Sequence, residues 1–163
     1  MDIVLRAVVV GIGATLVLDL WALALRRASG VRPLDWALVG RWIGHLRRGR
    51  FMHDSIAAAA PVRRERLLGW GFHYATGIAF AGLLLAACGP DWARQPTWPP
   101  CLALGVLTVL FPFFVMQPAM GAGVAASKTP RPAQARLRSL ATHVVFGVGL
   151  YLAALLAAAL FPR

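Results

Sequence analysis

Four apolar segments, each at least 20 residues long, constrain this chain more than any other feature. They are residues Ile3–Leu25, Leu67–Cys88, Cys101–Ala126 and Leu137–Phe161. An α-helix rises 1.5 Å per residue, so each segment is long enough to cross the hydrocarbon core of a bilayer, about 30 Å thick. The pattern predicts an all-α, polytopic membrane protein, a four-transmembrane-helix bundle that forms a single integral-membrane domain over residues 1–163.

The composition excludes an ordinary soluble domain. Hydrophobic residues make up 59% of the chain and charged residues only 14%, and the mean hydropathy is +0.66. Soluble domains carry about a quarter of charged residues. The lipid bilayer is therefore the first partner that the sequence predicts.

The net charge of +11 is concentrated in two regions, residues 26–66 and 127–138. Of the 17 Lys and Arg residues, only Arg6, Arg94 and Arg163 lie elsewhere. Loops rich in Lys and Arg stay in the cytoplasm, so both termini are predicted to be periplasmic. The basic face is expected to contact anionic lipid headgroups, and no nucleic acid is expected as a partner.

The cytoplasmic segment 26–66 contains a second kind of helix. Leu34–Arg48 combines tryptophans and aliphatic residues with Arg41, Arg47 and Arg48. This pattern predicts one amphipathic interfacial helix, because Trp and Arg favour the boundary between lipid and water.

Each apolar segment carries a strongly polar residue at about the same depth: Asp19, His73, Gln117 and His143. Such groups are costly in hydrocarbon and usually face a bundle interior or a water-filled cavity. Thr15 shares the helix face of Asp19, and Thr76 lies beside His73. The sequence predicts a cytoplasm-facing pocket that binds a ligand or protons, lined by these six residues. Its predicted mouth consists of Arg41, His53, Asp54 and Lys128.

The third segment contains Phe111-Pro112, Gln117-Pro118 and Gly121-Ala122-Gly123. Proline removes a backbone donor and frees a carbonyl one turn earlier. The segment is expected to be interrupted, and two consequences stay open: a broken helix that borders a ligand site, or a kink that improves packing.

Two further alternatives concern metals and thiols. His73 and His143 lie at similar depth and could ligate haem iron or another metal, with Asp19 orienting one ring. Cys88 and Cys101 flank a short outer loop, where an oxidising periplasm would permit a disulfide. Separate thiols and a hydrogen-bonded histidine pair are the simpler alternatives.

Taken together, several motifs resemble a family of bacterial inner-membrane proteins, the domain-of-unknown-function family DUF2938. They include Gly13-Ala14-Thr15 with Asp19, Val39-Gly40-Arg41-Trp42, His53-Asp54-Ser55-Ile56, Gln117-Pro118, Ala126-Ser127-Lys128-Thr129-Pro130, and Ser139-Leu140 with His143. The resemblance covers nearly the whole chain and implies a four-span protein of the bacterial inner membrane. It implies no activity, substrate or cofactor.

The leading functional hypothesis is a small protein that binds or transports a small ligand or protons through the Asp/His/Gln pocket. A transporter with four spans is expected to be a homo-oligomer. One alternative is a membrane enzyme that acts on a lipid or isoprenoid with Asp19 and a histidine as an acid–base pair. The other is a structural or assembly partner whose polar seam only fixes helix register.

Overall fold

The computed structural model describes residues 3–31 and 33–161. The regular secondary structure among these residues is helical, with turns and loops between the helices. The α-helices are α1 (Ile3–Ser29), α2 (Trp36–Leu46), α3 (Glu65–Arg94), α4 (Trp98–Leu107), α5 (Gln117–Ala119) and α6 (Pro132–Leu160). A π-helical turn covers Pro112–Met116, and a 3₁₀ turn covers Val124–Ala126. Arg32 and Arg163, which entered the charge argument, lie outside the described residues.

Four helical stretches among residues 3–31 and 33–161 are long and apolar enough to cross a membrane. They are Ile3–Ser29, Glu65–Arg94, Trp98–Ala119 and Pro132–Leu160. Large apolar side chains such as Leu20, Leu83, Leu107 and Leu156 are exposed on them, which suits a surface that faces lipid. The predicted all-α fold with four spanning helices is confirmed.

Two helix ends have clear local causes. The side chain of Asp35 caps α2, because its Oδ1 accepts a hydrogen bond of 2.9 Å from the backbone N–H of Ala37. Regular helical geometry in α3 is interrupted at Gly89, whose φ of 82° lies in the left-handed region and which is followed by Pro90. The apolar part of α3 therefore stops near Cys88, as the sequence pattern indicates.

Contacts divide the chain into two compact units, and the prediction of one domain over residues 1–163 stays a prediction. The first unit contains α1, Tyr74–Leu107 and the chain from Thr142 onwards. Its core is a cluster of small and branched residues that includes Val10, Ala14, Ala81 and Leu150. Buried Arg6 belongs to this unit and donates hydrogen bonds to the carbonyl oxygens of Ala93 and Phe161.

The second unit contains Leu34–His73 and Thr108–Ala141. Its core is formed by Trp42, Ile56 and Ala119, with partly buried residues of α2 and of the interrupted third segment packed around them. The amphipathic helix α2 is confirmed as a separate element. It packs against the first turns of α3 through glycines: a Cβ at Gly40 would lie 1.7 Å from the carbonyl oxygen of Glu65, and one at Gly69 would lie 1.7 Å from that of Trp36.

The third apolar segment is interrupted at the positions that its prolines indicate. Regular α-helix ends at Leu107, and a π-helical turn begins at Pro112, where the N–H of Gln117 donates to the carbonyl of Pro112. The chain then leaves helical geometry at Met120 and Gly121. Single π-turns occur often at functional sites, and this one ends directly before Gln117.

Candidate functional site

Asp19, the strongest candidate from the sequence, is held by a tyrosine. The phenol of Tyr74 donates a hydrogen bond of 2.9 Å to Oδ2 of Asp19, and both side chains are half-buried in the first unit. A carboxylate that accepts an O–H bond gains a charge-assisted interaction, which also fixes its orientation. Sequence analysis did not select Tyr74, although its position next to His73 on a polar stripe was an available signal.

The helix faces beside this pair are packed closely. Thr15 is buried, and its hydroxyl donates to the carbonyl of Gly11 at 2.8 Å. A Cβ at Gly77 would lie 2.2 Å from Oγ1 of Thr15, and one at Gly11 would lie 2.4 Å from Cα of Ile78. Small residues at four-residue spacing therefore bring α1 and α3 together in this unit, as predicted for membrane helices. Thr76, the neighbouring candidate, is half-buried.

His143 lies on α6 in the same unit and is half-buried. A Cβ added at Gly105 would lie 2.7 Å from the carbonyl oxygen of His143 and 2.6 Å from Cα of Gly147. The stretch from His143 to Gly147 is thus the surface on which α4 packs. A role of the imidazole in a pocket stays a prediction.

His73 belongs to the second unit, where two tryptophans surround it. Its ring stacks on the indole of Trp36, with centroids 3.9 Å apart and planes at 24°, and it contacts Trp70 edge-on at 5.7 Å. The imidazole is buried. The position of Trp36 at the first residue of α2 places it against α3, and its expected place at the lipid boundary stays a prediction.

Gln117 is also in the second unit, and one of its amide atoms has no partner. Nε2 donates to Oγ of Ser139 over 3.4 Å, while Oε1 is buried without a hydrogen bond. Exchanging the two amide atoms would leave the NH₂ group unsatisfied instead. Buried polar atoms are usually paired, so this amide is a candidate for contact with a bound molecule.

Among the predicted mouth residues, Arg41 forms contacts that hold parts of the second unit together. It forms an ion pair with Glu65 and donates to carbonyls of the loop that follows α2. The hydrogen bond to Glu65 is the main reason why the pKa of Arg41 is raised above its usual value. Lys128 and Asp54 are exposed. A common mouth formed by these residues stays a prediction.

His53, which was predicted at the mouth of the pocket, is buried. It is only 5% exposed, and neither ring nitrogen has a hydrogen-bond partner. Its backbone N–H donates to the carbonyl of Ala119 at 2.9 Å, and the N–H of Ile56 donates to that of Met120 at 3.1 Å. The loop therefore docks on the end of the interrupted third segment.

Two features of this docking explain why His53 is buried and neutral. Gly121 has a φ of 95°, and a Cβ there would lie 2.2 Å from the carbonyl oxygen of Asp54, so glycine permits the close approach. Burial is the largest cause that lowers the pKa of His53 below 6.5, and the charge of Arg50 adds to it. The nearby carbonyl of Ala119 acts in the opposite direction.

The second ring next to His53 is His45, which sequence analysis missed. The two ring centroids are 5.0 Å apart, with planes at 77°. His45 is buried at the end of α2, and its Nε2 lies 2.9 Å from the carbonyl oxygen of Ala60. The available signal was its position on the apolar side of an amphipathic helix.

The metal and thiol hypotheses both depend on where the His, Cys, Asp and Glu side chains lie. Within residues 3–31 and 33–161, no group of three or more His, Cys, Asp and Glu residues is arranged to hold a metal ion. Haem or metal binding by His73 and His143 stays a prediction. Cys88 and Cys101 carry free thiols and pack against the same core cluster of the first unit, and the disulfide also stays a prediction.

The helices and their apolar surfaces define a multi-pass helical membrane protein. Residues 8–157 match the family described as "Protein of unknown function (DUF2938)", and the chain belongs to this family. The resemblance to this family is thereby confirmed, while the bacterial inner membrane that it implied stays a prediction. No curated protein and no solved structure matches the chain.

Proposed function

We propose that this chain is a bacterial inner-membrane protein that binds protons, or a small organic cation in their place, at Asp19. The observation that carries the proposal is the hydrogen bond from Tyr74 to Asp19 between two helices that are apolar enough to span a membrane. Ionisable residues are rare in such helices, and they characteristically mark proton or ion pathways.

The packing around the pair supports a fixed site. Gly77 and Gly11 allow the helix backbones to approach, and Thr15 fills the space beside Gly77. A site held by packed helices can keep a carboxylate in one orientation while its proton is exchanged. Tyr74 supplies a donor for the ionised form of Asp19, and an aromatic ring next to a carboxylate also suits an organic cation.

The distribution of charge supports the proposed orientation. Arg47, Arg48, Arg63 and Arg66 are exposed in the segment that the positive-inside pattern assigns to the cytoplasm. This face would contact anionic headgroups of the inner leaflet. The amino and carboxyl termini would then be periplasmic.

Infrared difference spectroscopy of the purified protein tests the proposal directly. The carbonyl band of a protonated carboxyl group should appear and disappear with pH in the wild type and be absent in Asp19→Asn. In Tyr74→Phe the band should persist but shift in frequency, because the carboxyl loses its hydrogen-bond donor. Tetraphenylphosphonium, used as the organic cation, should release protons from the wild type and not from Asp19→Asn.

The same variants separate this function from a purely structural seam. A spectrum without an Asp19 band, combined with a large loss of thermal stability in Asp19→Asn, would show that the carboxyl only fixes helix register. Asp91→Asn is the matched control, because Asp91 is a carboxyl that is 93% exposed, follows the helix break at Gly89 and belongs to no predicted site. It should change neither the band nor proton release.

A further inference from the structure

His53 places two unsatisfied nitrogens in a buried environment. An imidazole buried without partners destabilises a protein, because its polar atoms lose their hydration and gain no hydrogen bond in return. Leucine or phenylalanine would fill the same space without that cost. A buried histidine of this kind therefore suggests a partner that binds nitrogen lone pairs.

His45 supplies a second lone pair beside it. A carbonyl oxygen only accepts hydrogen bonds, so Nε2 of His45 carries the hydrogen and donates to Ala60. In the neutral ring, Nδ1 of His45 is then the acceptor. Neither nitrogen of His53 has a hydrogen-bond partner, and Nδ1 of neighbouring His45 keeps its lone pair, so the two rings can offer nitrogens to a bound ion.

The separation of the two rings fits a shared metal ion. A metal–nitrogen bond of about 2 Å places each ring centroid roughly 3.2 Å from the ion, so two rings in a linear arrangement would be about 6.4 Å apart. At a tetrahedral angle the same rings would be about 5.2 Å apart. The observed distance is 5.0 Å, which corresponds to a bent arrangement that leaves room for a third ligand.

The surroundings indicate the charge and softness of that ion. No third His, Cys, Asp or Glu completes a group around these two histidines within the described residues. Arg50 contributes positive charge to the environment of His53 and outweighs the smaller negative contribution of Asp54, which disfavours a divalent ion more than a monovalent one. Met116 and Met120 pack against the cluster of Trp42, Ile56 and Ala119, on the segment where the His53 loop docks. Thioether and imidazole ligands without carboxylates are typical of Cu(I).

We propose that His45 and His53 form a binding site for a monovalent copper ion, with a methionine of the adjoining segment as the third ligand. The site lies in the second unit and is independent of Asp19. In this proposal His53 is a metal ligand and not part of a pocket mouth. The metal ligands are His45 and His53, in place of the His73 and His143 pair that the sequence suggested.

Competition with a chromogenic Cu(I) chelator, under reducing conditions, tests this site. The wild type should retain one equivalent of Cu(I), and His53→Leu should bind at least tenfold more weakly. Met116→Leu and Met120→Leu separately identify the third ligand. X-ray absorption of the copper-loaded protein should show two nitrogen neighbours and one sulfur, and the sulfur should be lost in one of the two methionine variants.

The control variant is His73→Phe/His143→Phe, which retains His45 and His53. Loss of copper in this control with retention in His53→Leu would overturn the proposal, as would tighter binding of Zn(II) than of Cu(I) by the wild type. His53→Leu removes two nitrogens without hydrogen-bond partners and keeps an apolar side chain in their place, so it should remain folded, and its unfolding temperature checks this. If it does not fold, loss of the two-nitrogen absorption signature in His53→Gln supports the site, and an unchanged signature there overturns it.

Discussion

Arg41 and Glu65 form a two-point ion pair that joins α2 to the start of α3. Nε of Arg41 lies 2.9 Å from Oε2 of Glu65, and Nη2 lies 3.0 Å from Oε1. Nη1 donates to the carbonyls of Ile56, Ala57 and Ala59, at 3.3, 3.0 and 3.1 Å. One guanidinium therefore holds two helices and the loop between them, in the rigid planar geometry that arginine offers and lysine does not.

Arg41→Ala should strongly destabilise the second unit. Breaking a fully buried pair costs about 3–5 kcal/mol, and exposed pairs contribute at most about 1 kcal/mol. The side chains of Arg41 and Glu65 are 12% and 20% exposed, so we expect a loss of roughly 1–3 kcal/mol in the free energy of unfolding. Denaturant or thermal unfolding in mild detergent measures it.

The exposed pair of Arg94 and Asp91 provides the control for this experiment. Its side chains are 58% and 93% exposed, so Asp91→Asn should leave unfolding nearly unchanged. Equal effects of Arg41→Ala and Asp91→Asn would mean that the Arg41 contacts do not hold the unit together.

Alanine at Gly40 or Gly69 should also destabilise the protein. Each added Cβ would lie 1.7 Å from a backbone carbonyl oxygen, and a backbone atom cannot rotate away as a side chain can. Overpacking of this kind typically costs about 1–3 kcal/mol. Thermal unfolding should therefore show lower midpoints for Gly40→Ala and Gly69→Ala.

Gly71→Ala is the matched control for these glycines. It lies in the same helix as Gly69, but nothing lies within 4 Å of its added Cβ. Alanine is the better helix former by about 1 kcal/mol, so this variant should be neutral or slightly more stable. A drop as large as that of Gly69→Ala would show that helix flexibility, rather than close approach, explains the glycines.

The sequence predicted those features that depend on local patterns. Apolar length predicted four spanning helices, and periodicity predicted the amphipathic helix between the first two. Pro112 and Pro118 indicated the interruption of the third segment, because a missing N–H disrupts a helix wherever it occurs. The exact form, a π-helical turn before Gln117, depends on packing and was not predicted.

The candidate site was predicted only in part, since helix rotation is not encoded in a single residue. Asp19 was selected from its cost in hydrocarbon, whereas its contact with Tyr74 depends on which faces of α1 and α3 meet. Similarly, α2 was expected to lie on headgroups because of its Trp and Arg residues. Its packing on α3 depends on Gly40 and Gly69. The close contact of each glycine with the other helix can be recognised only once the relative position of the two helices is known.

Gly77→Ala tests the close contact beside Asp19 through a double-mutant cycle. The added methyl would lie 2.2 Å from Oγ1 of Thr15 and 3.2 Å from the carbonyl oxygen of Gly11. We expect a loss of about 1–3 kcal/mol for the single variant. In a Thr15→Ala background most of that loss should disappear, because the hydroxyl is the closest obstacle. Purely additive unfolding energies would contradict this direct contact.

His53 should make the stability of the metal-free protein depend on pH. Its pKa is lowered in the folded state by burial, by Arg50 and to a smaller extent by His45, while the carbonyl of Ala119 and the charge of Asp54 act in the opposite direction. The unfolded state therefore binds more protons between the lowered value and 6.5, and stability rises with pH across that window. Above pH 6.5 the histidine is neutral in both states and the folded protein has its full stability. As the pH falls below 6.5, the unfolded state takes up protons first and the free energy of unfolding decreases.

His53→Leu isolates this contribution, because leucine is apolar and does not titrate. Unfolding curves of chelator-treated wild type and variant should be compared from neutral to mildly acidic pH. At neutral pH the variant should be as stable as the wild type or more stable, since it removes two unsatisfied nitrogens. On acidification the wild type should lose stability faster than the variant. Parallel curves would mean that His53 gains a proton equally readily in the folded and unfolded states, and that it is not held neutral by burial.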